Sequence, residues 1–291
     1  MAPLFLGTGR RAPGEWSRAR VRRIAGLAAA YGALTAAALL VLLPVIWIAL
    51  TSLKERVLAF QIPPVWLFQP TLDNYTALWR QHPFTLFFVN STLVAFLSTV
   101  VAVTVGATAS YALVRLSSRS AGIAALILIT RTIPPVALII PFFALMHTLD
   151  LYDTYLALVL ANLSFSIPFM IWTLMGFFAG VPWEVEEAAL VDGCSRLRAF
   201  VIVVAPMVAP GLAAAGVVNF LFCWNEFLYA LLLTGRRTQT LPIAVANFMT
   251  SQGIQIGELS AAIIVISLPV VVITFAVRGH LVEGLSLGGF R

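Results

Sequence analysis

The sequence predicts an all-α membrane protein with six transmembrane helices. Of its 291 residues, 60% are hydrophobic and only 10% are charged, a balance that ordinary soluble domains do not have. Several uninterrupted apolar runs reach about 20 residues, the length at which a helix crosses the hydrocarbon core of a bilayer. Most of the positive charges lie at the ends of these runs, as they do in proteins whose membrane orientation they set.

Six apolar runs follow one another along the chain. The predicted spans cover residues 25–50, 84–114, 122–146, 154–179, 207–233 and 258–280. Their orientation follows from Lys and Arg, which are enriched in cytoplasmic loops. Twelve of these residues fall in segments that six spans would place inside the cell and five in segments that they would place outside. Both termini are therefore predicted to be cytoplasmic.

Residues 1–24 are predicted to be a cytoplasmic arginine-rich segment, with six arginines and one acid, Glu15. The first apolar run is too long for the core of a signal peptide, and Thr-Ser-Leu-Lys-Glu-Arg follows it instead of a small-residue cleavage site. We therefore expect a retained first span and a single transmembrane domain over residues 25–291.

A polar stretch over residues 181–206 separates the fourth and fifth predicted spans. Pro182 suits the first position of a helix, and Glu184 and the carboxylates after it complement the helix dipole. Gly193 supplies the left-handed residue that ends many helices, and Ser195 can cap the helix that follows. The sequence thus predicts a short cytoplasmic helix over about 182–193, a tight turn, and a second helix that enters the membrane.

The chain lacks the residue patterns of several enzymatic sites. Lys54 is its only lysine and no Gly-x-x-x-x-Gly-Lys-Ser/Thr occurs, which excludes ATP binding by a phosphate loop. The three histidines have no ligand spacing, so a metal site is not expected. Neither Gly-x-Ser-x-Gly nor His-Glu-x-x-His is present, which argues against a membrane hydrolase or protease. The basic residues do not cluster on one polar face, so nucleic acid is not an expected partner.

Polar side chains inside the predicted spans are candidates for a substrate pathway. An arginine at the centre of a span costs about 2.5–3.5 kcal/mol on insertion scales, so Arg131 should face protein or water. It either makes a structural contact to a carbonyl or a neighbouring carboxylate or lies on a substrate pathway. A few polar groups among aromatic ones suit a small polar ligand, but Ser and Asn also bond neighbouring helices together, and both interpretations stay open. Together with Arg131, the candidates are Asn162, Phe165, Ser166, Asn219, Asn225 and Glu226.

Prolines also interrupt the predicted spans, at Pro134, Pro135, Pro141, Pro168 and Pro269. Within a membrane such breaks survive only where a neighbouring helix or a cavity satisfies the freed carbonyl groups. This pattern favours a transport pathway over a plain membrane anchor.

The run from Glu187 to Gly193, Glu-Ala-Ala-Leu-Val-Asp-Gly, resembles the cytoplasmic "EAA" motif of binding-protein-dependent ABC importer permeases, with Pro206 and Pro210 downstream. Six spans without a large external insertion look like the second permease subunit of the maltose-type carbohydrate branch. Three further segments are similar to that branch: Asn90-Ser-Thr, Trp224-Asn-Glu-Phe, and the tail Gly284-Leu-Ser-Leu-Gly-Gly-Phe-Arg291.

The resemblance implies a subunit of an ATP-driven importer in a prokaryotic inner membrane, for an oligosaccharide or a related polyol or sugar phosphate. Its partners would be membrane lipid, a second permease subunit, a dimer of ATPase subunits and an external substrate-binding protein. The ATPase would bind ATP and Mg²⁺, so this chain would carry no cofactor and no catalytic residue. The short helix would dock on the ATPase as a coupling helix through Glu187, Ala188, Ala189, Asp192, Gly193 and Pro206.

Two other classes compete with this interpretation. A stand-alone secondary transporter or channel of six spans would normally display internal repeats, which the sequence lacks. A membrane-embedded enzyme would need a catalytic constellation, and none of the motifs above supplies one.

Overall fold

The computed structural model describes residues 13–116, 120–250 and 253–288 of the chain. Within these ranges the regular secondary structure is helical apart from one short hairpin, in which Met249–Thr250 pairs with Gly253–Ile254. The helices are α1 (Pro13–Ser52), α2 (Arg56–Ala59), α3 (Asp73–Gln81), α4 (Phe84–Leu116), α5 (Ser120–Thr130), α6 (Pro135–Thr148), α7 (Tyr155–Ala179), α8 (Trp183–Val191), α9 (Arg196–Ala199), α10 (Ala205–Met207), α11 (Ala209–Trp224), α12 (Leu228–Leu233), α13 (Leu241–Ala246) and α14 (Ile256–Gly288).

Four helices are long and apolar enough to cross a bilayer by themselves, over Ile24–Ser52, Phe84–Arg115, Tyr155–Ala179 and Ile256–Val277. They correspond to the first, second, fourth and sixth predicted spans. The third corresponds to a bent helix pair, and the fifth overlaps in part with a second bent pair that runs from Arg196 to Trp224. The described chain therefore has four to six spans, and six if each bent pair crosses once. Residues 13–24 continue helix α1, whereas residues 1–12 and the tail residues 289–291 of the sequence predictions lie outside the described ranges.

The third predicted span bends by 78° between α5 and α6. Pro134 and Pro135 follow one another there, and neither has an N–H to continue a helical ladder. The residue before a proline is also pushed away from helical backbone angles. Arg131 therefore lies in a non-helical link. The sequence prediction, which placed Arg131 inside a continuous helix, is wrong at this point.

The fifth predicted span is broken twice. A π-helical turn over Phe200–Val204 and a bend of 77° at Val208 precede α11, where Pro206 and Pro210 each remove a donor from the ladder. The second break lies between α11 and α12 and contains neither glycine nor proline. The prediction of one helix over residues 207–233 is therefore wrong at this second break.

Helix α4 is the centre of the bundle, because it packs along both α7 and α11. A Cβ atom at Gly106 would overlap the side chain of Met170, so glycine allows α4 and α7 to approach closely. Helix α1 instead lies against α14, and the most apolar part of α1 has no buried residue. The apolar surface of α1 is thus left for lipid or another subunit.

The two ends of α4 contact different structures. At its C-terminus Arg115 bonds to the segment that leads into α8, and at its N-terminus Ser91 accepts a hydrogen bond from Leu241 of α13. We call these two ends of the bundle the α8 end and the α13 end.

Candidate functional site

The polar stretch at the α8 end forms the predicted helix, turn and second helix. Pro182 lies just before the first helical residue of α8, one position earlier than predicted. At the other end the N–H groups of Gly193 and Cys194 donate to the carbonyls of Leu190 (3.1 Å) and Ala189 (3.0 Å), the pattern of a Schellman cap. The φ angle of Gly193 is +88°, in the left-handed region.

Helix α9 begins at a side-chain cap, as predicted. The Oγ atom of Ser195 accepts a hydrogen bond from the backbone N–H of Arg198 at 3.4 Å. The chain then runs through the π-helical turn into α10, which contains the exposed Pro206. Pro206 therefore lies on the link that joins α9 to α11 and not on α8 itself.

A buried ion pair fastens α8 to α4. The Oε2 atom of Glu186 lies 3.0 Å from the Nε atom of Arg115, and the Tyr111 hydroxyl donates to the other carboxylate oxygen at 2.6 Å. Arg115 also donates to the carbonyl of Val181 at 2.7 Å, and its guanidinium lies 4.4 Å from the centre of a Trp183 ring. Both charged side chains are almost completely buried, at 1% and 3% exposure.

Sequence reasoning missed Glu186 and Arg115 as a pair. The helix carries two adjacent glutamates, and of the two only Glu187 was predicted to contact a partner. A signal was present, since Glu186 and Ala189 are three residues apart and so share a helix face. Both are buried on the side of α8 that faces the bundle.

The opposite side of α8 faces away from the bundle. Glu187, Ala188, Asp192 and Gly193 are exposed, whereas Ala189 is buried. The apolar side chains of Val191 and Leu197 at this end are also exposed, at 87% and 71%. We call this surface, made of Glu187, Ala188, Val191, Asp192 and Leu197, the α8 surface.

Three of the predicted pathway residues lie in contacts between helices. Asn162 donates to Ser98 at 3.3 Å, and Asn219 donates to Thr99 at 3.2 Å. The Ser166 hydroxyl lies 3.5 Å from the sulfur of Cys223. All three predicted residues are buried, and these contacts join α7 and α11 to their neighbours.

Two further predicted residues shape the break between α11 and α12. The Asn225 side chain donates to the carbonyl of Leu221 at 2.8 Å, at the end of α11. The Glu226 carboxylate accepts from the N–H groups of Tyr229 (2.8 Å) and Ala230 (3.1 Å), which are otherwise unpaired in the first turn of α12. The carboxylate thereby stabilises the start of a new helix.

The last two predicted residues, Arg131 and Phe165, line one cleft of about 290 Å³. The cleft lies between the α5–α6 link and the helices α7, α11 and α12, and Phe222 and Tyr229 complete its aromatic wall. The structure thus brings Arg131 and Phe165 together, and it places the other five predicted pathway residues elsewhere.

A network of hydrogen bonds at the α13 end fixes the link between α12 and α13. The Asp153 carboxylate accepts from the N–H groups of Gly235, Arg237 and Thr238 and from the Thr238 hydroxyl, at 2.7–3.1 Å. Burial alone would raise the pKa of Asp153, but these hydrogen bonds outweigh burial and hold its pKa below the ordinary value of 3.8.

Asn90 adds a second contact to the same link. Its side-chain amide donates to the carbonyls of Arg237 (3.0 Å) and Gln239 (2.9 Å) and accepts from the Tyr155 hydroxyl at 2.7 Å. Helix α4 therefore holds the link at the α13 end and α8 at the opposite end.

The chain is similar to known transport proteins. Residues 102–286 match the family described as binding-protein-dependent transport system inner membrane component. The trehalose transport system permease protein SugB of Mycobacterium tuberculosis is 37% identical over 86% of this chain and 92% of its own. The sulfoquinovosyl glycerol transport system permease protein SmoH of Agrobacterium fabrum is 36% identical over 86% of this chain and 89% of its own.

A solved structure shares the fold. It is that of a bacterial ABC transporter involved in the import of the acidic polysaccharide alginate, and it superposes with a TM-score of 0.70 at 22% identity. The match covers 89% of this chain and 97% of that one. The chain belongs to the family of binding-protein-dependent transport system inner membrane components, and it is a multi-pass permease subunit of an ABC importer.

Proposed function

We propose that this permease subunit carries a sugar across the inner membrane and that the α8 surface receives the force that drives the transport. Two relatives are named for the transport of trehalose and of a sulfoquinovosyl glycerol, which supports a carbohydrate substrate. The observation that carries the coupling role is the orientation of α8. Its Glu186 side is anchored in the bundle, and its Glu187 side is free for a partner.

The partner at the α8 surface is an ATPase subunit, which binds ATP and Mg²⁺ and performs the hydrolysis. The small side chain of Ala188 permits a close approach of backbones, and Glu187 and Asp192 offer carboxylates to cations of the partner. Val191 and Leu197 add apolar area that a docked subunit would remove from water. In this arrangement the α8 end and both termini are cytoplasmic.

Movement at α8 reaches the membrane through α4. The Glu186–Arg115 ion pair joins α8 to the C-terminus of α4, and Asn90 near the N-terminus of α4 holds the link between α12 and α13. A displacement of α8 by the ATPase is therefore applied to a helix that reaches the other side of the bundle. The α13 end faces outward in this arrangement, where an external binding protein would deliver the sugar.

A second permease subunit completes the pathway. The α1 helix leaves most of its apolar surface uncovered, and the cleft beside Arg131 is open on one side. These surfaces would be covered by a partner of the same kind. No observation favours the stand-alone transporter, which would have no use for an anchored helix with a free acidic side.

Purification and transport measurements test the proposal. When the chain is co-expressed with its partner subunits, we expect it to purify with a second permease subunit and two copies of an ATPase. Proteoliposomes that contain this assembly should take up a sugar only when ATP and the binding protein are present. Uptake by the isolated chain without ATP would contradict the proposal.

A further inference from the structure

The cleft of about 290 Å³ beside the α5–α6 link combines one cation with several aromatic rings. We propose that it binds one ring of a sugar that carries an acidic substituent, and that Arg131 holds the acidic group. This inference rests on the proposed function, since it names the chemical class of the transported sugar.

Arg131 has no acidic partner among the residues that the structure describes. The ion pairs in that part of the chain join Arg115 to Glu186 and His82 to Glu258. The guanidinium of Arg131 lies instead over the ring of Phe169, 5.1 Å from its centre. A charged group in a membrane-spanning segment normally pairs with another charge or faces a water-filled cavity. The structure offers the cavity, and an anionic ligand would supply the missing charge.

The backbone around Arg131 holds it at the wall of the cleft. Arg131 begins the non-helical link that ends at Pro134, just before Pro135 starts α6. Because proline fixes its own φ angle and restricts the residue before it, the link has few alternative conformations. The Phe169 ring then limits where the guanidinium can lie. A planar guanidinium held in this way can bind a carboxylate, sulfonate or phosphate through two parallel hydrogen bonds.

Three of the other residues that line the cleft are aromatic, and the remaining five are small or aliphatic and include the hydroxyls of Thr130 and Ser164. Phe222 packs edge-on against Phe169, with the two ring centres 5.5 Å apart, so the ring that supports Arg131 also supports the wall. Phe165 and Tyr229 line the cleft as well, and the Tyr229 hydroxyl has no hydrogen-bond partner among the described residues. Aromatic walls with a few polar groups are typical of sites for small polar organic molecules.

The size of the cleft sets the size of the ligand. Pockets for small molecules commonly measure about 300–1,000 Å³, so this cleft is at the lower limit. It accommodates one sugar ring with its substituent, and the further rings of an oligosaccharide would extend beyond its open side. A longer substrate would therefore place one acidic sugar unit at a time in this cleft.

Direct binding to the assembled importer tests the inference. The transporter with its ATPase subunits is placed in nanodiscs without the binding protein, so that only the permease site is measured. Methyl glucuronide and methyl glucoside are the probes, because they differ only in a carboxylate that replaces a hydroxymethyl group. We expect the glucuronide to bind at least about tenfold more tightly, since only it can form a charge-assisted pair with Arg131.

Variants of the cleft assign the preference to single residues. Arg131→Gln should remove the preference for glucuronide, and Arg131→Lys should retain part of it because the charge remains. Phe222→Leu should weaken both sugars alike, and Arg80→Gln should change neither, because exposed Arg80 lies on α3, away from the cleft. If Arg131→Gln does not assemble, the lysine and leucine variants still provide the test.

Equal affinity for the two sugars, or an unchanged preference in Arg131→Gln, would overturn the inference. An assembly that hydrolyses ATP but binds neither sugar would also overturn it. Failure of the proposed function has a different signature, because the chain would then not assemble with an ATPase at all.

Discussion

Glu186 and Arg115 form an ion pair at 3.0 Å that is almost completely withdrawn from solvent, between the short helix α8 and the end of the central helix α4. The pair connects two helices that are far apart in sequence, and we call it the α4–α8 clamp. Removing both charges from such a pair can cost little, but removing one leaves the other buried without a partner. The pair therefore offers a test of how firmly α8 is held.

We expect Glu186→Gln to lower the free energy of unfolding by about 3–5 kcal/mol, because Arg115 is left charged and buried. The double variant Glu186→Gln/Arg115→Met should recover part of this loss, since neither charge then remains. Glu187→Gln, an exposed neighbour on the same helix, should stay within about 0.5 kcal/mol of the parent protein. Equilibrium unfolding in mixed micelles measures all three variants, and equal losses for Glu186→Gln and Glu187→Gln would contradict the clamp.

Glu187 should matter for coupling and not for stability. Its carboxylate lies on the exposed side of α8, so Glu187→Lys places a like charge against the cations expected on the ATPase. Substrate-stimulated ATP hydrolysis by the reconstituted importer should fall by about fivefold or more, with insertion and unfolding unchanged. Glu55→Lys makes the same change at an exposed residue just after α1 and should leave the rate intact. An unchanged rate in Glu187→Lys would exclude docking at this residue.

The effect of a substitution at Gly193 is expected to depend on whether the new residue can adopt a positive φ angle, and not on the size of its side chain. A Cβ there would meet nothing within 4 Å, so the constraint is the φ of +88°. Gly193→Pro should abolish transport while the protein still inserts, because proline requires a φ near −65° and lacks the N–H that bonds to Leu190. Gly193→Val should cost about 1–2 kcal/mol in the turn, and Gly193→Asn should cost less. Normal uptake by the proline variant would rule out a requirement for this turn.

The sequence predicted much of this arrangement where local signals decide it. Apolar length located the four helices that are long enough to cross a bilayer, and the cap, dipole and glycine signals located α8 and its turn. The break after Trp224 could not be predicted in this way, because no proline or glycine marks it. The Glu226 carboxylate pairs the first N–H groups of α12, and nothing in the local sequence shows that this carboxylate will turn back to its own chain.

The burial of Glu186 against Arg115 could not be predicted for a similar reason. Adjacent residues of a helix point in directions about 100° apart, so the two glutamates lie in different surroundings and only Glu186 is buried. Which of the two is buried depends on where Arg115 ends α4, a contact between residues 71 positions apart in the sequence. Asn162, Ser166 and Asn219 show the same limit, since the sequence identified them as polar side chains inside apolar spans but not the helices that they contact.

The link between α12 and α13 should loosen in acid. Hydrogen bonds hold the pKa of Asp153 below 3.8, so the folded state binds this proton less readily than the unfolded state. The stabilisation from Asp153 is therefore complete above its ordinary pKa and is lost as the pH falls through the lowered pKa of the folded state. We expect Asp153→Asn to lower the midpoint of thermal unfolding at pH 7, with the difference from the parent protein shrinking as the pH falls below about 4. Asp73→Asn changes an exposed carboxylate elsewhere in the chain and is the control, which should show a smaller difference from the parent protein at pH 7. A difference between Asp153→Asn and the parent that is the same at pH 7 and pH 3 would show that the charge of Asp153 is not what holds the link.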